Sequence, residues 1–477
     1  MTLETIIGLE IHVELDTKTK IFCNCSTKFG KKPNENTCPI CLGLPGTLPV
    51  MNERVIELAV KAGLAINCNI NTLNKMDRKN YFYPDLPKAY QISQYDLPIC
   101  QDGYVDIETE QGSKRIRINR IHMEEDAGKL VHDEFEPVSY IDYNRVGVPL
   151  IEIVTEPDIR SIDEAIIFLK TLKNILEYAD ISDCKMEEGS LRCDANISMR
   201  KVGDTKLNTR VELKNINSFK ELEKALLKEQ KRQSELYKYG EDYKIIQETR
   251  RWDSAKGKTI PMRGKEEAHD YRYFPEPDII PLIVKNEILE NAKASLPELP
   301  SIKKERFIKD YALTETDASI IVADKYLANY FEDIVKEGAD AKNASNWILR
   351  DVIRILNEQK IEAKDFNLPA KELATIIKLT KENKINSSSA TLVFDEILKT
   401  NKTALEIIEE KSLLQSNDSS EIEAIVDKVI FENENVVKQY KEGNKKVLGF
   451  LVGQIMKATK GKVNPKIANE ILSKKLN

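Results

Sequence analysis

Up to about residue 290, apolar residues fall in short alternating runs broken by Gly, Pro, Asn and Asp, the pattern of strands and turns. In Leu9-Glu10-Ile11-His12-Val13-Glu14-Leu15 the apolar side chains share one face and Glu10, His12 and Glu14 share the other, because side chains alternate along a strand. The same pattern recurs where Leu191, Cys193, Ala195 and Ile197 alternate with Arg192, Asp194 and Asn196, and where Val211 and Leu213 alternate with Arg210, Glu212 and Lys214. From about Leu296 the period changes to helical, as in Asn346 to Leu356, with a helix start at Thr314/Asp317 and a helix end at Gly338. Leu296-Pro297-Glu298-Leu299-Pro300 forms one joint, since two prolines interrupt both helix and ladder, and Ser416 to Ser420 forms another. These patterns predict an α+β fold: a mostly antiparallel sheet domain with a polar cleft over residues 1–294, an all-α domain over 295–415 and a small helical tail over 416–477.

The polar strand faces have a bland reading, an ordinary solvated sheet surface. Glu, Asp and Asn are poor strand formers, however, and their recurrence on several strands points to a broad polar cleft. His122-Met123-Glu124-Glu125-Asp126 follows strand-like Ile116 to Asn119 and puts three acids at a strand end. Consecutive acids repel unless they share a cation, and hard oxygen ligands favour Mg²⁺. Glu152 lies inside the apolar run Pro149 to Val154, where a charge is costly unless it is paired or metal-bound.

Cys23-Asn24-Cys25 and Cys38-Pro39-Ile40-Cys41 form two close pairs separated by 12 residues, a spacing that suits a structural Zn²⁺. The alternative is four reduced, partly buried thiols. The other four of the eight cysteines are scattered and read as packing residues. Gly257-Lys258-Thr259 is not a phosphate loop, because the first glycine of that motif would fall on Trp252.

Composition adds a polarity along the chain. The 72 Lys+Arg and 78 Asp+Glu give a net charge of −6, which argues against general nucleic-acid coating. From Asn435 onward, however, ten lysines face two glutamates, a local charge of +8. No apolar run approaches the roughly 20 residues of a membrane span. The N-terminal residues lack a signal or transit pattern, so a cytoplasmic location is expected.

Seven segments, in order, carry a resemblance over essentially the whole chain: Ile7 to Leu15, Asp77 to Gln91, His122 to Lys129, Lys185 to Asn196, Glu212 to Phe219, Asp270 to Asp278 and Gly449 to Lys457. Together they closely resemble the B subunits of the glutamine-dependent aspartyl/glutamyl-tRNA amidotransferases. The resemblance implies ATP-dependent phosphorylation of the side-chain carboxylate of misacylated Asp-tRNA(Asn) or Glu-tRNA(Gln). Ammonia then displaces the phosphate. That ammonia is released from glutamine by a separate amidase (A) subunit, in a heterotrimer with a small C subunit.

On this resemblance, His12, Glu125 and Glu152 are the expected Mg²⁺ ligands, with Glu10 beside them. Lys79 would steady phosphate, with Tyr83 and Arg192 as further ATP contacts, and Asp194 and Glu212 would line the ammonia route or take a proton from ammonium. Lys445, Lys446, Lys457, Lys460 and Lys462 would meet the tRNA. Two other classes stay open at this point: a non-catalytic tRNA-binding adaptor, and an ATP-dependent ligase acting on a small carboxylic acid.

Overall fold

A computed structural model describes residues 2–133, 136–262, 271–415, 419–459, 463 and 465–476. The expected tRNA contacts Lys460 and Lys462 lie outside the described residues. The chain divides into two compact units, Met1–Pro300 and Ser301–Asn477.

The first unit is built on alternation. Among its strands are β1 (Leu3–Glu14), β2 (Asn69–Ile70), β3 (Asp77–Asn80), β4 (Tyr90–Ser93), β5 (Cys100–Thr109), β6 (Gly112–Glu125), β7 (Pro149–Thr155), β8 (Leu191–Lys201), β9 (Val211–Lys214), β10 (Glu248–Asp253), β11 (Lys258–Pro261) and β12 (Phe274–Pro275). Nine of them form one sheet in the order β11-β10-β9-β8-β1-β7-β6-β5-β2, antiparallel except at β9/β10. The long β1 sits near the middle, paired with β7 on one side and β8 on the other.

The apolar face of the sheet is covered by α1 (Glu53–Ala65), α2 (Ile162–Tyr178) and α3 (Phe219–Lys238). Each begins at a side-chain cap that satisfies a free helix N–H: Asn52, Ser161 and Ser218 accept from Arg54, Glu164 and Glu221. Ile7, Ile11, Ile153, Phe168, Leu169 and Leu213 are fully buried in this core. Each such side chain contributes about 1.5–3 kcal/mol of hydrophobic free energy, which fixes the strands beneath the polar face.

A three-stranded sheet, β12-β3-β4, is fastened to the end of β6. The Ile92 N–H donates to Glu125 Oε1 at 2.9 Å, and Gln91 Nε2 donates to the Glu125 carbonyl at 2.7 Å. Ser93 Oγ donates to Glu124 Oε2 at 3.2 Å. These bonds set Lys79 and Gln91 at the edge of the polar face.

The described residues of the second unit carry helices and no strands. Thr314 caps the helix Glu315–Val322 by accepting from Asp317, and Gly338, at φ +85°, follows the helix Lys325–Lys336, both at the positions that the sequence marks. The helical tail expected over 416–477 opens with two helices, Ser419–Glu432 and Glu434–Lys441. Asn433 lies between them in a non-helical conformation, its amide bonded back to the Val429 carbonyl. Ile422, Val426, Leu451, Ile455 and Leu472 form a core of their own in this last stretch.

Candidate active site

Strand register brings residues far apart in sequence level with one another. Glu152 on β7 lies opposite His12 on β1 and, on its other side, opposite His122 on β6. His12 in turn faces Arg192 on β8, so His122, Glu152, His12 and Arg192 form one row across four strands. In the neighbouring positions Glu10 faces Asp194, and Asn196 faces Glu212.

At this row, His12, Glu124 and Glu152 each present a ligand atom within 4.8 Å of the others. His12 Nε2 lies 3.3 Å from Glu152 Oε2 and 3.5 Å from Glu124 Oε1. Both carboxylates are buried. Burial opposes their charge, yet His122 and His12 outweigh it and hold Glu152 well below the usual carboxylate range, and Glu124 is lowered in the same way. Burial also opposes a charged His12, but its hydrogen bond to Glu152 and the charge of Glu124 raise its pKa. A mixed imidazole and carboxylate set of this kind fits a divalent cation.

A cavity of about 350 Å³ opens over this group. Its lining includes His12, Glu124, Asp126, Lys79, Arg192 and Lys214. Arg192 is anchored by Asp126, with Nη2 to Oδ2 at 2.9 Å, and Arg145 meets the same oxygen at 3.3 Å. The Lys79 ammonium sits over the rings of Tyr271 and Tyr81, 4.9 and 5.6 Å from their centroids. Lys214 is held between Asp194 at 3.0 Å and Glu212 at 3.2 Å. Burial pushes the Glu10 carboxyl up, and the nearby charges of Glu152 and Glu212 push it further. Glu10 Oε1 accepts from Asn196 at 3.2 Å. Asn215, also in the lining, has φ +61°, a left-handed turn that ends β9 ahead of α3.

Of the expected residues, His12, Lys79, Arg192 and Asp194 line the cavity, Glu152 lies beside His12, Glu10 is level with Asp194, and Glu212 is level with Asn196. Glu125 is placed elsewhere. The acidic run lies at a strand end, as expected, and the strand runs as far as Glu125, so alternation sends His122 and Glu124 to the cleft and Met123 and Glu125 to the opposite side. Glu124 is thus the carboxylate beside His12, and Glu125 instead makes a close ion pair with Lys88. Tyr83 is half exposed on the loop after β3 and is not among the residues lining the cavity. Sequence reading misses His122, Lys214 and the role of Glu124; strict alternation from Met123, continued to the end of the acidic run, is the signal that selects Glu124.

The second cluster lies on the loop after β1. Cys41 Sγ is 3.8 Å from the Sγ of Cys23, 3.8 Å from that of Cys25 and 3.5 Å from that of Cys38. Four thiolates at about 2.3 Å around a tetrahedral zinc would be roughly 3.8 Å apart, so this four-cysteine cluster is able to bind a metal such as zinc. The hydrogen bond with Cys23 and the charge of Lys20 draw the Cys41 thiol down to about 4, against the effect of burial. Burial and Cys38 push Cys25 up to about 11. Gly43, at φ +65°, lets the loop seat against Lys88, whose side chain a Cβ would strike. Cys68, Cys100, Cys184 and Cys193 are buried as free thiols in the core.

In the last stretch of the chain Lys445 and Lys446 are exposed in a short turn, and Lys457 is exposed near the end of the helix Leu448–Ala458. No helix among the described residues is long and apolar enough to cross a membrane.

Residues 5–290 match the family model described as GatB/GatE catalytic domain, and residues 329–476 match that described as GatB domain. The chain is similar to a B subunit of aspartyl/glutamyl-tRNA(Asn/Gln) amidotransferase from Clostridium acetobutylicum, the one numbered 2 in that organism, at 60% identity over 476 residues and 100% of both chains. It is similar to the corresponding B subunit of Clostridium beijerinckii at 60% identity, covering 100% of this chain and 99% of the relative. The B subunit of Caldanaerobacter subterraneus subsp. tengcongensis is 55% identical over 100% of both chains.

Proposed function

Because the chain belongs to the family of B subunits of the aspartyl/glutamyl-tRNA(Asn/Gln) amidotransferases, we propose that its cleft activates the side-chain carboxylate of a misacylated tRNA. The enzyme is a ligase that carries out transamidation of such tRNAs, and this chain is one component of a larger assembly. The substrates we infer are Asp-tRNA(Asn) and Glu-tRNA(Gln) with ATP, and the partners are an amidase subunit and a small third subunit.

A carboxylate is a poor electrophile. One of its oxygens attacks the γ-phosphorus of ATP, ADP leaves, and the acyl phosphate carries a good leaving group. Ammonia then attacks the acyl carbon, phosphate departs, and a proton is lost to a base. The first step brings anions together, so the site must supply positive charge. Lys79 and Arg192 face the cavity as fixed cations, the first held by tyrosine rings and the second by Asp126. His12, Glu124 and Glu152 are the residues that would hold Mg²⁺, which supplies Lewis-acid stabilisation of the transferring phosphoryl group. The adjoining row offers the base. Glu10 has a raised carboxyl pKa and lies beside Asp194, a pairing suited to accepting the proton from the attacking amine.

Ammonia must be delivered. Cys193 lies along the cavity, but its thiol is fully buried and burial raises its pKa well above the ordinary value. It is therefore no nucleophile for glutamine. We place zinc in the cysteine cluster as a structural ion, and the exposed lysines of the tail against tRNA phosphates.

The observation that carries the reading is the cation group His12/Glu124/Glu152 on the floor of a cavity with Lys79 and Arg192 in its walls. The test is ADP release stimulated by misacylated tRNA in the assembled enzyme, comparing wild type with Glu124→Gln. Loss of activation with tRNA binding kept supports the reading. Undiminished activation in the variant overturns it.

A further inference from the structure

The mechanism above leaves one buried imidazole unused. His122 stands on β6 two residues before Glu124 and directly opposite Glu152. Its Nε2 lies 3.3 Å from Glu152 Oε2, the same oxygen that His12 approaches at 3.3 Å, and 3.7 Å from Glu124 Oε2. The side chain is 7% exposed.

We propose that His122 is a positioning residue that holds Glu124 and Glu152 in the geometry a divalent cation needs, without itself binding the cation. Two facts separate this role from that of a ligand. A histidine that binds a metal through Nε2 normally donates its Nδ1–H to a carbonyl or carboxylate. His122 Nδ1 is buried and has no hydrogen-bond partner. The polar contacts of His122 run through Nε2, the nitrogen that faces the two carboxylates, and nothing behind the ring orients it as a ligand.

The second fact is where the contacts fall. His12 reaches Glu124 through Oε1 and His122 reaches it through Oε2. Each of its oxygens therefore has a different imidazole neighbour, and His122 can keep its contact with Oε2 while Oε1 turns to a cation beside His12. Ser93 Oγ, 3.2 Å from the same Oε2, helps fix that oxygen from the small sheet. Two buried carboxylates on adjacent strands would otherwise splay apart, and their oxygens would have to be gathered at the moment of binding. Donors behind ligating carboxylates commonly contribute 10- to 100-fold in metal affinity.

This inference rests on reading His12, Glu124 and Glu152 as a cation site, and Mn²⁺ binding to the full chain tests both without using enzyme activity. Titration with Mn²⁺, followed by the electron paramagnetic resonance signal of the free ion, compares wild type with His122→Leu and His122→Gln. Leu keeps the bulk and removes the donor; Gln keeps an N–H at similar reach. The expected result is an affinity about 10- to 100-fold weaker for His122→Leu and close to wild type for His122→Gln. Equal binding by wild type and His122→Leu, or equal weakening in both variants, overturns the role of His122 while leaving the cation site intact. A wild-type chain that takes up no Mn²⁺ overturns the cation site and the proposal with it. Should His122→Leu not fold, pulsed resonance on wild type with bound Mn²⁺ decides: coupling to one imidazole nitrogen, that of His12, supports the proposal, and coupling to two overturns it.

Discussion

Among the described residues, the two clusters able to hold cations are assembled by opposite routes. Cys23, Cys25, Cys38 and Cys41 all come from one loop, and their relative placement depends on turns between neighbours. His12, Glu124 and Glu152 come from three strands, and their placement depends on the register of a sheet whose apolar side is packed by helices. The loop has few buried apolar side chains, with Phe29, Leu44, Leu48 and Val50 exposed, so a metal there would do the work of a core. The strands are held whether or not a cation is present. On the proposed reading, a metal in the loop would support structure and one in the sheet would serve chemistry.

The strongest perturbation should loosen the loop and spare the sheet. A structural zinc supplies about 10–16 kcal/mol of binding free energy. Chelation, or the double change Cys38→Ser/Cys41→Ser, should raise amide exchange across residues 20–44 at least tenfold (~1.4 kcal/mol) while Leu3–Glu14 stays protected. Equal exchange in both segments with and without chelator would show that the loop folds unaided.

Next comes the pair of adjacent acids that alternation separates. Glu125→Gln leaves buried Lys88 without its anion and should cost about 3–5 kcal/mol in urea unfolding, with Mn²⁺ binding retained. Glu124→Gln should do the reverse, weakening Mn²⁺ binding with a small effect on stability. Swapped outcomes would mean that the strand ends before Glu124.

His12→Ala should lower misacylated-tRNA-stimulated ADP release on the order of 100- to 1000-fold, the usual loss when a stabilising group at a reacting centre is removed. Its melting curve should change little, because the side chain lies on the polar face and not in the core. A large fall in melting temperature would make His12 a structural residue instead.

The mildest effect is expected where neither loop nor sheet fixes the contact. Lys457→Gln should weaken tRNA binding only a few-fold and lower the salt dependence by about one unit of slope. A slope unchanged after Lys445, Lys446 and Lys457 are all replaced would remove this surface from the tRNA contact.

What is legible in the chain before folding follows the same division. The cysteine spacing is readable because the information is local, and the structure gathers all four thiols. The two-residue period of β1 and β8 is readable too, and it correctly puts Glu10, His12, Arg192 and Asp194 on the polar side. The acidic run reads as a strand end, and β6 does end there, at Glu125. In a strand a step of one residue exchanges the faces, so alternation carried to that last residue puts Glu124, and not the expected Glu125, beside His12. His122 escapes notice because nothing near it in sequence shows that Glu152 lies opposite.

Fold class, family, polar face and thiol cluster all follow from the order of residues alone, since alternation, motif order and short spacings are properties of chain neighbours. Tertiary structure was needed to decide which acid meets His12, which imidazole stands behind it and which cations line the cavity. Those choices depend on the pairing of β6, β7, β1 and β8, and pairing is selected by the burial of Ile121, Ile153, Ile11 and Cys193 in one shared core. The core that sets the register lies beneath the sheet, and the chemistry it positions lies above.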